Sequence, residues 1–131
     1  MILLDTHVLV WWVSSSSRLS RASKSAIASA IKRDGMAISA ISVWEICLLA
    51  LSEKLQLKSD VHTWLGKVLS LPILTVVSVD ASIAERSMFL PGSLPKDPAD
   101  RMIVATALEI QAPLVTSDQK IRRSNVVSTI W

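Results

Sequence analysis

Short apolar runs alternate along this chain with segments of helical periodicity, and that alternation limits the available folds more than any other feature. Ile2-Leu3-Leu4 and residues 36–40, 74–79, 113–116 and 126–130 each read as strands. Helix signals fill the intervals. Residues 6–13 begin a helix that the Ser14–Ser17 run ends, and Ser20 caps a helix over 21–33. Gly35 closes that helix as a left-handed stop. Ser42 stands three residues before Glu45, the capping-box spacing, so a helix is expected to start near Val43. Asp60 and Asp80 head two further helices. Residues 90–96 hold two prolines and a glycine and read as a loop. Asp97-Pro98 then pairs an acidic cap with proline at the first helical position, starting a helix to about residue 110. Residues 119–123 read as a short helical turn. Strands alternating with helices predict an α/β fold: one domain over residues 1–131, with a central, mostly parallel sheet covered by helices on both faces.

Composition narrows the function classes. Half of the residues are hydrophobic and 19% are charged, which excludes a disordered chain. Mean hydropathy is high at +0.44. A membrane span needs about 18 consecutive apolar residues, and no such run exists, so no membrane association is expected. The start, Met1 to Asp5, has no basic region and carries an acid, unlike a signal peptide. The surplus hydrophobicity is therefore assigned to a buried sheet or a partner surface. A single cysteine, Cys47, leaves no internal disulfide and fits a reducing, cytoplasmic setting. The net charge of +3 permits a polyanionic partner without requiring one.

In a parallel α/β sheet, ligands bind beyond the carboxyl ends of the strands. Asp5 ends the first strand and Asp118 follows the fourth. Glu45 and Asp100 fall in the first turns of helices that begin at that same edge. Four carboxylates from distant parts of the chain thus meet at one rim. Crowded carboxylates repel one another, and a hard divalent cation relieves them. With no His or Cys at transition-metal spacing, Mg²⁺ is favoured, with Mn²⁺ able to substitute. Each acid also has a plainer reading. Asp97 is a helix cap, Glu45 completes a capping box, Asp100 meets a helix dipole, and Asp118 can cap the following turn. Asp5 has no comparable helix-cap role, though an Asx-turn is open to it.

At this point the residues resemble a known pattern. Leu4-Asp5-Thr6-His7, Ser42-Val43-Trp44-Glu45-Ile46, Lys96-Asp97-Pro98-Ala99-Asp100-Arg101 and Leu114-Val115-Thr116-Ser117-Asp118 are similar, in that order, to the motifs of PIN-domain ribonucleases, and more closely to VapC-type toxins of toxin–antitoxin pairs. The final Trp131 also fits. The resemblance implies a quartet of Asp5, Glu45, Asp100 and Asp118 that binds metal and carries catalysis. It places Thr6 and Thr116 beside these acids as orienting groups. It further implies Mg²⁺-dependent cleavage of RNA leaving 5′-phosphate and 3′-hydroxyl ends, inhibition by a VapB-like antitoxin, and a homodimer.

The remaining candidates are weighed against plainer roles. Arg101, Lys120, Arg122 and Arg123 are candidate contacts to RNA phosphates, and ordinary solvated charge serves each one equally well. Trp12 and Trp44 are expected inside. Core packing is also the better reading for Trp11 and Trp64, which can otherwise join a partner groove. His7 is read as a hydrogen-bonded structural histidine, and Cys47 as a small buried hydrophobe. A haloacid-dehalogenase-like, Mg²⁺-dependent phosphatase would want a second acid two residues after Asp5, where His7 stands. A receiver domain would want an acid pair at the first strand end and a late lysine. The non-enzymatic alternative is an interaction domain of the same fold whose acids are all caps.

Overall fold

The computed structural model describes residues 1–131. Five parallel strands form the sheet: β1 (Ile2–Leu4), β2 (Met36–Ser39), β3 (Leu74–Val77), β4 (Leu114–Val115) and β5 (Thr129–Ile130). Their spatial order is β3-β2-β1-β4-β5. Seven helices connect them: α1 (Thr6–Val13), α2 (Arg21–Lys32), α3 (Ala40–Leu51), α4 (Val61–Leu69), α5 (Ala81–Met88), α6 (Pro98–Glu109) and α7 (Gln119–Ser124). The α/β class expected from the alternation is the one observed.

Strand side chains alternate between two cores, as a period of two requires. Ile2, Leu4, Met36, Ile38, Leu74 and Val115 pack with α1 to α4 on one face. Leu3, Ala37 and Leu114 pack with Ile103, Val104 and Ala107 of α6 and Ile121 of α7 on the other. The chain reaches β2 and β3 on one side of β1, then crosses to β4 and β5 on the other. This reversal puts a switch point between β1 and β4, where the crevice of such a sheet opens.

The register defines that edge. Leu4 pairs with Val115, and Val115 with Ile130. The next row across the sheet therefore holds Asp5, Thr116 and Trp131, with the amide of Thr116 still donating to the Ile130 carbonyl at 3.3 Å. Gly35 lies in the turn before β2 at φ +76°, and a Cβ there would stand 2.7 Å from the Ile73 carbonyl oxygen. The left-handed stop is thus confined to glycine by sterics as well as by backbone energy.

Several expectations need correction. Ser39, not Ser42, caps α3, accepting from the Ile41 amide at 3.2 Å. The helix starts directly after β2, so Ser42 lies inside it, buried, and Glu45 falls in the second turn. Trp44 is 56% exposed, because α3 is apolar on more than one face and the sheet covers only one of them. His7 is exposed and enters no hydrogen bond; its ring packs against Trp11. The last strand is confined to Thr129–Ile130, following a left-handed Asn125 at φ 56°. Trp64 is buried and Trp11 and Trp12 pack against the core, as expected.

Candidate metal centre

Asp5 leaves β1 at the carboxyl edge and caps α1, the helix-end role that its sequence position had not suggested. Its carboxylate is held from two sides. Oδ1 accepts from the Thr6 amide at 2.8 Å, and Oδ2 accepts from the Thr116 hydroxyl at 2.6 Å. The Thr116 oxygen in turn accepts from the Asp118 amide at 3.1 Å. A single buried hydroxyl therefore ties the acid after β1 to the acid after β4. Asp118 caps α7 through the Ile121 amide at 2.9 Å. Thr6 is buried too, and its hydroxyl donates to Ser42 at 2.9 Å, fastening α1 to α3 beside Glu45.

Asp97 caps α6, with Oδ1 accepting from the Ala99 and Asp100 amides at 2.8 and 3.2 Å. Its carboxylate also comes together with those of Glu45 and Asp100, one oxygen of each lying within 4.8 Å of the others. Sequence reasoning treated Asp97 only as a cap. The missed signal was its spacing of three from Asp100, which puts an N-cap and the third helical residue on the same side of a helix start.

Of the expected quartet, only Glu45 and Asp100 fall in this close carboxylate cluster, and Asp5, Glu45 and Asp100 are all held above their ordinary range. Burial, above all, raises the Asp5 carboxyl above its ordinary range; the Thr116 and Thr6 hydrogen bonds and His7 oppose this, and Asp118 adds to it. Burial likewise raises Glu45, with added repulsion from Asp5 and Asp97. Asp100 is pushed up to about 7 by burial first, then by Asp5, Asp97, Glu45 and Asp118. No salt bridge answers this charge, and His7 offsets only part of it. The chain's two salt bridges join the amino terminus to Asp34 and Arg86 to Glu109, both away from the rim. Desolvated carboxylates without a counter-ion cost free energy. The oxygen-only donor set and the missing positive charge fit a hard divalent cation better than a zinc-type ion.

The basic candidates separate. Arg101 points away from the rim. Its guanidinium donates to the carbonyls of Leu90 at 2.6 Å and Ser87 at 3.0 Å, with longer contacts to Pro91 and Pro95. It pins the loop ahead of α6, which corrects its reading as a phosphate contact. Its donors meet carbonyls that the loop leaves without ladder partners. Lys120 is exposed, and Arg122 and Arg123 line an open cleft of about 360 Å³ with Gln119 and Thr129. On α3, exposed Trp44, Leu48 and Leu51 follow one another at helical spacing beside Glu45.

A PIN domain model matches residues 2–126. The chain is 40% identical to Ribonuclease VapC22 of Mycobacterium tuberculosis over 132 aligned positions, covering 99% of this chain and 98% of that protein. Among solved structures it resembles VapBC2 from Rickettsia felis bound to a promoter DNA fragment, with a TM-score of 0.71 and 21% identity, covering 98% of this chain and 97% of that one. It also resembles a toxin–antitoxin complex from Klebsiella pneumoniae, with a TM-score of 0.68 and 24% identity over 98% of this chain and 97% of the other.

Proposed function

The chain belongs to the PIN-domain family, and from that footing we propose that it is a Mg²⁺-dependent endoribonuclease, the toxin of a VapBC-type toxin–antitoxin pair. The observation that carries this reading is the meeting of acids from separate elements at the switch point with no salt bridge among them. In it, Asp5, Glu45, Asp100 and Asp118 hold the metal and carry catalysis. A divalent cation held there supplies Lewis acidity toward the phosphate and acidifies water for in-line hydrolysis.

The protein's own groups set the geometry. Thr116 and the Thr6 amide fix both oxygens of Asp5 through bonds of 2.6 and 2.8 Å, so this carboxylate is oriented before any ligand arrives. The Thr6–Ser42 bond holds α3, and with it Glu45, against α1. Arg101 fixes the loop from which Asp97 and Asp100 enter α6. Lys120, Arg122 and Arg123 lie on α7, two to five residues beyond Asp118, and would meet flanking phosphates.

Two apolar features support protein partners. Exposed Trp44 and Leu48 border a groove of about 390 Å³ that also touches Glu45, Asp97 and Pro98, and exposed Leu51 lies one turn further along α3. An antitoxin seated there would cover the acids. Met88 and Phe89, 76% and 82% exposed at the end of α5, suit contact with a second copy in a homodimer. No helix is long and apolar enough to cross a membrane, and the proposed site of action is the cytoplasm.

The test is cleavage of total cellular RNA by the purified protein. Cuts with 5′-phosphate ends that need Mg²⁺, stop with EDTA and vanish in Asp5→Asn are expected. Cleavage that survives Asp5→Asn would reject the assignment.

A further inference from the structure

One cation shares a groove with the rim acids and is used by none of the roles above. The groove of about 390 Å³ between α3 and the start of α6 is lined by the acids Glu45 and Asp97, and Lys54 is the single basic residue that lines it with them. Lys54 is exposed and enters neither of the chain's two salt bridges. Arg101, the basic residue next to Asp100, is spent on loop carbonyls.

The backbone fixes where this lysine stands. Past Leu51, the last residue of α3, the chain reverses through a left-handed Glu53 at φ 60°. The Glu53 amide donates to the Ala50 carbonyl at 3.2 Å, and the Lys54 amide to the Leu49 carbonyl at 2.9 Å. This double closure satisfies the last carbonyls of a helix and is ordinarily built with glycine at the left-handed position. Leu55 follows and packs against the α1–α4 core, anchoring the far side of the turn. Lys54 is thus held by its own amide on one side and by a packed neighbour on the other. Leu48 and Leu49 line the same groove and offer an apolar wall to a lysine stem, while the charge stays in water.

An RNA strand needs a positive charge at this place. Glu45, Asp97 and Asp100 bring three carboxylates within 4.8 Å of one another. One divalent cation does not neutralise three carboxylates, so a strand crossing the groove meets net negative charge beside the metal. A lysine offers a phosphate oxygen a compact charge on a flexible stem, without the fixed fork geometry of arginine.

Resting on the nuclease reading above, we propose that Lys54 is a substrate-binding residue, its ammonium holding the RNA phosphate that lies in the α3–α6 groove next to the one at the acids.

The test measures binding of a fluorescein-labelled RNA oligonucleotide of mixed sequence by anisotropy in EDTA, where cleavage is silent, over a range of salt. Lys54→Ala should weaken binding about fivefold at about 0.1 M salt and reduce the slope of log K against log salt by about 0.7, as for one phosphate contact on a single strand. Lys58→Ala removes the same charge from a different groove and should change both far less. Lys54→Arg should keep most of the affinity, and melting curves of all variants exclude misfolding as the cause. In Mg²⁺, Lys54→Ala should raise KM for RNA cleavage and leave kcat unchanged. Affinity, slope and KM equal to the parent's in Lys54→Ala, or losses matched by Lys58→Ala, would overturn the assignment and leave Lys54 to an acidic group of the antitoxin or to solvent. The two readings fail separately. Asp5- and Mg²⁺-dependent cleavage with an indifferent Lys54→Ala removes the phosphate contact alone. Lys54-dependent binding without cleavage removes the nuclease and leaves the contact. A parent that neither binds nor cleaves RNA removes both.

Discussion

Replacing Asp100 by Asn should stabilise the metal-free protein, although it deletes a residue of the proposed site. The Asp100 carboxyl is pushed up to about 7, mainly by burial and then by four neighbouring acids. In the unfolded chain it returns to its ordinary value of 3.8. The folded state thus binds the extra proton between these values, and stability falls as pH rises through that window. Above about 7 the penalty is complete. Full conversion gives about 4 kcal/mol, and because the group is partly open to solvent, screening reduces this to roughly 2 kcal/mol. The helix dipole at the start of α6 favours the charge by about 0.3–1 kcal/mol, too little to reverse the sign. The Asp100 side chain makes no hydrogen bond that Asn would lose; only its backbone amide is engaged, with Asp97. Thermal melts in EDTA should show parent and Asp100→Asn alike near pH 4. Near pH 8 the variant should melt higher by roughly 6–10 °C for a chain of this size. Saturating Mg²⁺ should reverse the order, since a ligand at 100 times its Kd adds about 2.7 kcal/mol to the parent. A variant that melts no higher than the parent in EDTA at pH 8 would refute the claim that uncompensated charge collects at this rim.

Other outcomes follow from single contacts. Thr116→Val removes the 2.6 Å bond to Asp5 and the acceptor for the Asp118 amide. Mn²⁺ affinity measured by calorimetry should fall about 10–100-fold. Gly35→Ala should cost at least about 1–2 kcal/mol in urea denaturation, since it must hold a left-handed conformation against the Ile73 carbonyl. Arg101→Ala should lower the melting temperature and leave the salt dependence of RNA binding intact. Arg122→Ala and Arg123→Ala should do the reverse, each reducing the slope of log K against log salt by about 0.7.

The strands were legible because each is a short apolar run bounded by cap or turn residues, and Asp60, Asp80 and Asp97 cap the helices their positions announced. The start of α3 was not, because Ser39 and Ser42 are both competent caps and only the end of β2 decides between them. Trp44 was misplaced for a related reason. Its helix carries apolar residues nearly all round, so periodicity does not say which face the sheet covers. The acid rim followed from strand ends and one topological rule. The second use of Asp97 did not, since a capping carboxylate satisfies its helix with one oxygen and nothing local reveals where the other points. Arg101 was misread because its partners are loop carbonyls, which carry no mark in sequence. Asp5 shows the opposite case. It caps α1 and still bears electrostatically on Glu45 and Asp100, so a structural role and a chemical one are not exclusive.

The most direct test of the central claim is an anomalous-difference map from crystals of the protein soaked in Mn²⁺. A peak is expected among the carboxylates of Asp5, Glu45, Asp100 and Asp118, lost in Asp5→Asn. A rim without a peak at saturating Mn²⁺, or a peak bound only at other acids, would contradict it.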